Sequence, residues 1–388
     1  MSDGNLMTGI GRWLRRLQVM TVKELLQLAR DTPILVFFVF AFSFNIVMGG
    51  GRPGFELKNA VVHVLDHDKS ATSREFVNRF KPPFYILHGT DGTPQESIYL
   101  LDRGDVMVTM DIPSGFEKSL QRGEPTTVQM QVDTTNSSLG LLAASYAQQI
   151  TGEFGMEILS DRMGLTAASE ETLPVIRDEQ RSWFNPNQKN AWFFSISELL
   201  MMTTLLTILL STAAMAREKE RGTIEQLLVS PLTPIQILLP KVLAMTFVVV
   251  LGSMVSVYGI LIPVFHLPIK GSLPLFFALT ALYGFTSSGL GLFIATVTRN
   301  LSQAGMLAIF TFVPIILFSG IHTPDEGMPR WLHVIVQFNP LAHYINATYS
   351  ILLRGAGLDL IWDSVLAMAL LGGAVFGFGV WRFRRQFE

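Results

Sequence analysis

Three histidines, His322, His333 and His343, stand with Asp325 and Glu326 in one stretch of the chain. Imidazoles beside carboxylates could hold a metal ion or relay protons. Their spacing fits no ligand pattern, however, and neither HExxH nor the nucleophile elbow GxSxG occurs. Such histidines are more often bonded to backbone or water, so no metal and no catalytic residue is expected. The chain has no cysteine, which removes disulfides, thiolate metal sites and cysteine nucleophiles. It also lacks GxxxxGK[ST], and even a Gly-Lys dipeptide, so it has no phosphate loop of its own. With 29 Lys and Arg against 31 Asp and Glu, no basic excess exists to neutralise a nucleic acid.

Two other groups of polar residues carry more. The segment Ala216–Lys241, AREKERGTIEQLLVSPLTPIQILLPK, alternates charge at Arg217, Glu218, Lys219, Glu220 and Arg221, giving a rigid polar turn. It then places Ile224, Leu227 and Leu228 on one helical face. Such a helix can offer charge to one neighbour and an apolar ridge to another, or it can be a solvated loop resting on lipid headgroups. Pro231 and Pro234 end it before the next apolar run. Glu198 stands inside an apolar stretch with Thr203, Thr204, Thr207, Ser211 and Thr212 on the same helix. An ionisable group there either faces a path through the membrane or is solvated near an interface. The hydroxyls either line that path or pack against neighbours.

The elements that must position these residues follow from hydropathy. Charged residues are only 15% of the 388-residue chain and hydrophobic ones 49%, a balance that points to lipid. Residues 12–30 mix Arg12, Arg15, Arg16, Lys23 and Arg30 with Leu14, Leu17, Leu25 and Leu28, as a basic helix on a membrane surface does. An uncharged run of 18 residues from Ile34 to Gly51 predicts a first span, started at Asp31-Thr32-Pro33. Five more spans are predicted near 191–214, 242–264, 273–297, 302–321 and 359–381. Residues 322–358, broken by Pro324, Pro329 and Pro340, predict a re-entrant or interfacial hairpin. Between spans one and two, β-rich runs alternate with helical patterns, which predicts a small α/β domain within 52–190. Gly284, Ser288 and Gly291 share one helical face, and Gly373 with Gly377 form GxxxG, spacings that suit close helix packing within one chain or between two.

The expected architecture is therefore a polytopic α-helical membrane protein. It has an amphipathic helix over 1–31, a first span over 32–51, an inserted domain over 52–190, and five spans over 191–388 containing the connector 217–240. The basic residues flanking the spans are the N-terminal cluster, Arg217 to Lys241, Arg299, and Arg382 to Arg385. Six spans put all of them on one face, which the positive-inside rule makes cytoplasmic, with both termini there and the α/β domain outside.

REKERGTIEQLLVSPL, set between the second and third spans, resembles the coupling segment of ABC-2 type permeases, the membrane subunits of ATP-driven exporters. KELLQLARD, DIPSGFEKSLQRGEPTTVQMQVDTTNSS, WFNPNQKNAWFF and FNPLAHYINATYSILLRG match in order, so the resemblance spans essentially the whole chain. It implies two paired permeases, two identical copies or siblings. Each docks its coupling segment on a cytoplasmic ATPase that binds ATP and Mg, with Glu218, Glu220, Arg221, Gly222, Thr223 and Glu225 as the contact residues. It also implies a bacterial inner membrane and, for the branch with a large outer domain, a periplasmic membrane-fusion protein. A membrane sensor would share the outer domain, but it leaves four spans and the missing cytoplasmic output domain unexplained.

Overall fold

Apolar runs and polar runs separate into two compact units in the computed structural model, one formed by residues 1–52 with 181–388 and the other by 53–180. The structure describes residues 3–51, 57–135, 137–163, 189–223, 232–321 and 329–387.

The chain enters on helix α1 (Asp3–Ala29), which buries Glu24 and Leu28 and leaves Leu14, Val19, Val22 and Leu26 exposed. Asp31 then caps the next helix, its carboxylate accepting from the Ile34 amide at 3.4 Å, and Pro33 occupies the first turn where no amide bond is lost. The apolar segment Thr32–Gly50 that follows is two helices, α2 (Thr32–Phe42) and α3 (Phe44–Gly50), interrupted at Ser43.

The polar unit holds β1 (Ala60–Asp66), α4 (Ala71–Val77), β2 (Tyr85–Gly89), α5 (Pro94–Arg103), β3 (Val108–Ile112), α6 (Phe116–Arg122), β4 (Gln129–Val132) and α7 (Ser137–Arg162). The strand order is β2-β1-β3-β4, with β1 parallel to both β2 and β3 and β4 antiparallel to β3. Parallel neighbours need crossovers, and α4 and α5 supply them. Val62, Val64, Val108, Met110 and Ile112 bury the sheet against Phe76, Phe116, Ala143 and Phe154. The DIPSG stretch has a local explanation: Gly115, at φ 83°, begins α6 without a capping side chain. Asp68 reaches across to accept the Gly115 amide at 2.7 Å and the Glu117 amide at 3.0 Å. Ser70 first, and these amides with it, hold the Asp68 carboxyl below the usual range.

The second half of the other unit is helical: α8 (Asn190–Glu220), α9 (Pro234–Ser256) with a π-turn over Val257–Leu261, α10 (Leu273–Val297), α11 (Leu301–Leu317), α12 (Arg330–Gln337), α13 (Pro340–Tyr349) with a π-turn over Ser350–Arg354, and α14 (Leu358–Phe387). Among the described residues five segments are long and apolar enough to cross a bilayer: Thr32–Gly50, Asn190–Glu220, Pro234–Leu261, Leu273–Val297 and Leu358–Arg385. The run predicted as a span over 302–321 forms a shorter helix of 17 residues that stops at Leu317. There Asn339 caps it, donating to the Ile315 and Phe318 carbonyls at 2.7 and 2.8 Å. Its amide oxygen accepts from Leu341 and starts α13, so the predicted hairpin is the helix pair α12 and α13 joined at Phe338-Asn339.

One expectation is corrected. The alternating charges 217–220 are not a turn but the last helical turn of α8, which runs six residues past the predicted end at 214. The helix holding the third expected span begins at Pro234, ahead of the span's expected start near 242, because Thr233 and Gln236 form a capping box and proline is favoured in a first turn.

Candidate coupling site

Successive residues of an α-helix point about 100° apart, so four in a row sweep the whole circumference. At the end of α8 this geometry sends each charge to a different partner. Arg217 donates to Asp31 Oδ2 at 2.8 Å, reaching the residue that caps α2. Glu218 turns inward, 5% exposed, and its Oε1 receives Lys23 Nζ of α1 at 2.7 Å and Lys241 Nζ of α9 at 2.8 Å. Lys219 donates to the carbonyls of Ala295, Thr296 and Thr298 at 2.8, 3.0 and 3.1 Å, capping the end of α10. Glu220 Oε2 accepts the amide of Leu301 at 3.2 Å, at the positive start of α11.

The inward contact belongs to a closed set of four charges. Lys241, fully buried, also bonds Glu24 Oε1 at 2.7 Å, and Lys23 bonds the same oxygen at 3.0 Å. Two ammonium groups and two carboxylates sum to zero, which is what makes burial of Lys241 tolerable. Partial burial pulls the Lys23 ammonium down, and Glu218 with Glu24 outweigh it, leaving its pKa above the ordinary lysine value. Lys241 is thus no loop charge, as its place among the flanking basic residues suggested. Lys23, Glu24, Asp31 and Lys241 are the residues missed by sequence reasoning. The usable signal was a lone charge at an inward position, Glu24 one turn from Leu28 and Lys241 inside LLPKVLAM.

Beyond Glu220 the chain turns: Arg221 and Gly222 are exposed, Gly222 at φ 66°, and Thr223 returns its hydroxyl to the Glu218 carbonyl at 3.2 Å. Glu225, Ile224, Leu227 and Leu228 lie outside the described residues. Of the expected contact residues, Glu220, Arg221 and Gly222 are on the surface, whereas Glu218 is held inside and cannot itself touch a partner in this conformation.

The residues assigned to a membrane path are placed differently. Glu198 is 7% exposed between α8 and α3, where Asn45 Nδ2 donates to its Oε1 at 2.6 Å and Gly49 leaves room for its side chain. Thr203, Thr207 and Ser211 are fully buried. Thr207 and Ser211 donate to their own helix at Thr203 and Thr207, and Thr203 meets Ser253 of α9 at 3.5 Å. An apolar cavity of about 370 Å³, bordered by Tyr283, Leu290, Phe318, Phe338 and Leu371, is lined by none of these four. In this conformation all four are buried in helix packing within one chain.

Gly284 and Gly291 are packing positions, a Cβ at Gly291 falling 2.6 Å from the Ile208 carbonyl oxygen and one at Gly284 3.3 Å from Thr246. Ser288 is buried between them in sequence, with a hydroxyl that has no partner among the described residues. A Cβ added at Gly373 or Gly377 would meet nothing within 4 Å among the described residues, so no close packing rests on their GxxxG there; Gly372, against Thr286, makes the close approach instead. Among the described residues no cluster of three or more His, Asp or Glu could hold a metal. His343 Nε2 lies 2.9 Å from the Gln337 carbonyl, while His322, Asp325 and Glu326 are outside the described residues.

Comparison with known proteins places the chain among transport permeases. The chain is 32% identical over 375 residues to the inner membrane transport permease YhhJ of Escherichia coli (strain K12), covering 96% of this chain and 98% of that one. It is 30% identical over 373 residues to the probable multidrug ABC transporter permease YbhR of the same organism, covering 96% and 99%. YbhS, also a probable multidrug ABC transporter permease, is 26% identical over 354 residues, covering 88% and 89%. The pattern of the family described as ABC-2 family transporter protein matches residues 32–381, and with it the chain belongs to the ABC-2 transporter family.

Proposed function

We propose that the chain is the permease subunit of an ATP-driven exporter in a bacterial inner membrane. A separate cytoplasmic ATPase, binding ATP and Mg, drives it, and a second copy or a sibling permease completes the path. The printed names of its relatives, an inner membrane transport permease and a probable multidrug ABC permease, support this reading. On it α11 is the fifth of six spans, both termini are cytoplasmic, and the α/β unit is periplasmic, where a membrane-fusion protein can dock.

The carrying observation is the radial junction at residues 217–220. A push delivered to the surface residues Glu220, Arg221, Gly222 and Thr223, or to the stretch beyond them containing Glu225, moves the end of α8. Through Arg217, Glu218, Lys219 and Glu220 that movement reaches α1, α2, α9, α10 and α11 together. Glu218 then transmits and does not touch the ATPase.

The test is transport-coupled ATP hydrolysis by the reconstituted permease–ATPase complex. Arg221→Glu and Glu220→Lys should each lower it by about fivefold or more, the lower end of ordinary coupling energies, with membrane insertion and yield unchanged. Wild-type coupled hydrolysis in both variants overturns the assignment.

A further inference from the structure

An open cleft of about 680 Å³ lies between α1, the start of α2 and the last turn of α8, bordered by Lys23, Leu26, Arg30, Asp31, Arg217 and Arg221. Four cations face one carboxylate. Two of the four are already committed, Lys23 to Glu24 and Glu218, and Arg217 to Asp31. Arg30 and Arg221 are exposed, and neither guanidinium makes an ion pair or hydrogen bond within the described residues. Arg217 keeps a further buried donor, Nε, without a partner. The site therefore carries more donors than its own acceptors satisfy, and guanidinium groups match phosphate oxygens in geometry as well as charge.

Its position selects the kind of phosphate. Thr32 and Pro33, the first residues of the first span, line the same cleft, which sets it at the depth of lipid headgroups. Leu26 on its wall is 52% exposed, Val22 one turn back is 46%, and Val36 on the first turns of the span is 64%. A free anion leaves these apolar surfaces in water, whereas acyl chains cover them. A choline or ethanolamine headgroup would bring a cation to a cationic cleft.

We propose that this cleft binds the headgroup phosphate of an anionic phospholipid, with Arg30 and Arg221 as its ligands and Leu26 against the glycerol and upper acyl region. The lipid would bridge the amphipathic helix to the coupling end of α8. The inference rests on α2 and α3 forming a span and holds whether or not the complex exports anything.

Native mass spectrometry of the full-length permease released from detergent tests it, with phosphatidylglycerol, phosphatidylcholine and inorganic phosphate added separately. Phosphatidylglycerol should be retained and phosphatidylcholine should not. Arg30→Gln should weaken that retention about tenfold, the loss expected for a charge-assisted contact, and Arg30→Lys should recover part of it. Arg385→Gln, a basic residue on α14 outside the cleft, should leave it unchanged. Equal retention of both lipids, or equal effects of Arg30→Gln and Arg385→Gln, overturns the proposal. Displacement of phosphatidylglycerol by millimolar phosphate makes the cleft a free-anion site and overturns it as well. Loss of the lipid on assembly with the ATPase, together with weaker assembly of Arg30→Gln, makes it a protein dock instead.

Discussion

The middle of α8 and its charged end solve the same problem, burying polar side chains in an apolar helix, in opposite ways. In the middle, Thr204, Thr207, Ser211 and Thr212 return hydroxyls to carbonyls four residues back. Hydroxyl contacts that leave the helix include Thr203 to Ser253 of α9, Thr204 to the Tyr283 hydroxyl of α10 at 2.8 Å, and Thr212 to the Gly291 carbonyl of α10 at 2.9 Å. A hydroxyl that bonds its own helix depends less on its neighbours, so polar ties hold this region less tightly to other elements. At the charged end no residue of 217–220 satisfies its side chain within α8, and each contact ties a separate element to it. The junction ties five elements to one helical turn.

That contrast is broken or sharpened by substitution. The largest effect is expected from Lys241→Met, which leaves Lys23 alone against two buried carboxylates and should cost about 3–5 kcal/mol in thermal unfolding of the purified protein. Adding Glu218→Gln to it leaves Lys23 facing Glu24, and most of that loss should return while coupled ATP hydrolysis stays low. Recovery of both would make the charges mere packing. Lys219→Met uncovers three carbonyls at the end of α10 and should cost about 1–3 kcal/mol. Faster hydrogen exchange should then appear in the last turn of α10 and not in its middle. Thr204→Val, which gives up one bond to Tyr283, should cost about 1 kcal/mol. Smallest is Ser211→Ala, within about 0.5 kcal/mol and silent in transport. A Ser211 variant as damaging as the Lys219 one would erase the distinction between the middle of α8 and the junction.

Much of the fold is legible in the sequence because its signals are local. AVVHVLD is strand β1, DVMVTMDI ends in strand β3, and the pattern from Ser137 onward is one helix to Arg162. Helix ends were harder to read. Pro240 argues against a helix interior, yet it lies within α9, since the box at Thr233 and Gln236 fixes the start one turn and a half earlier. The site was half legible. REKERG marks the place, but whether Glu218 or Glu220 turns inward depends on helical phase, and Glu24 meets Lys241 across 217 positions of chain. No spacing rule joins residues that far apart. Glu198 stayed open for a related reason: its partner Asn45 lies 153 residues away, where no local pattern points to it.

Asn339 carries one more consequence. Because its amide closes the carbonyls of Ile315 and Phe318, α11 can end after 17 residues without leaving bare acceptors in hydrocarbon. As the fifth span it reaches only about 25 Å at 1.5 Å per residue, short of a typical hydrocarbon core of about 30 Å. On the reading that α11 is a span, lipid beside it must thin or the helix must draw its neighbours closer. Vesicles of shorter acyl chains should relieve that mismatch and favour the conformation in which Asn339 stays bound.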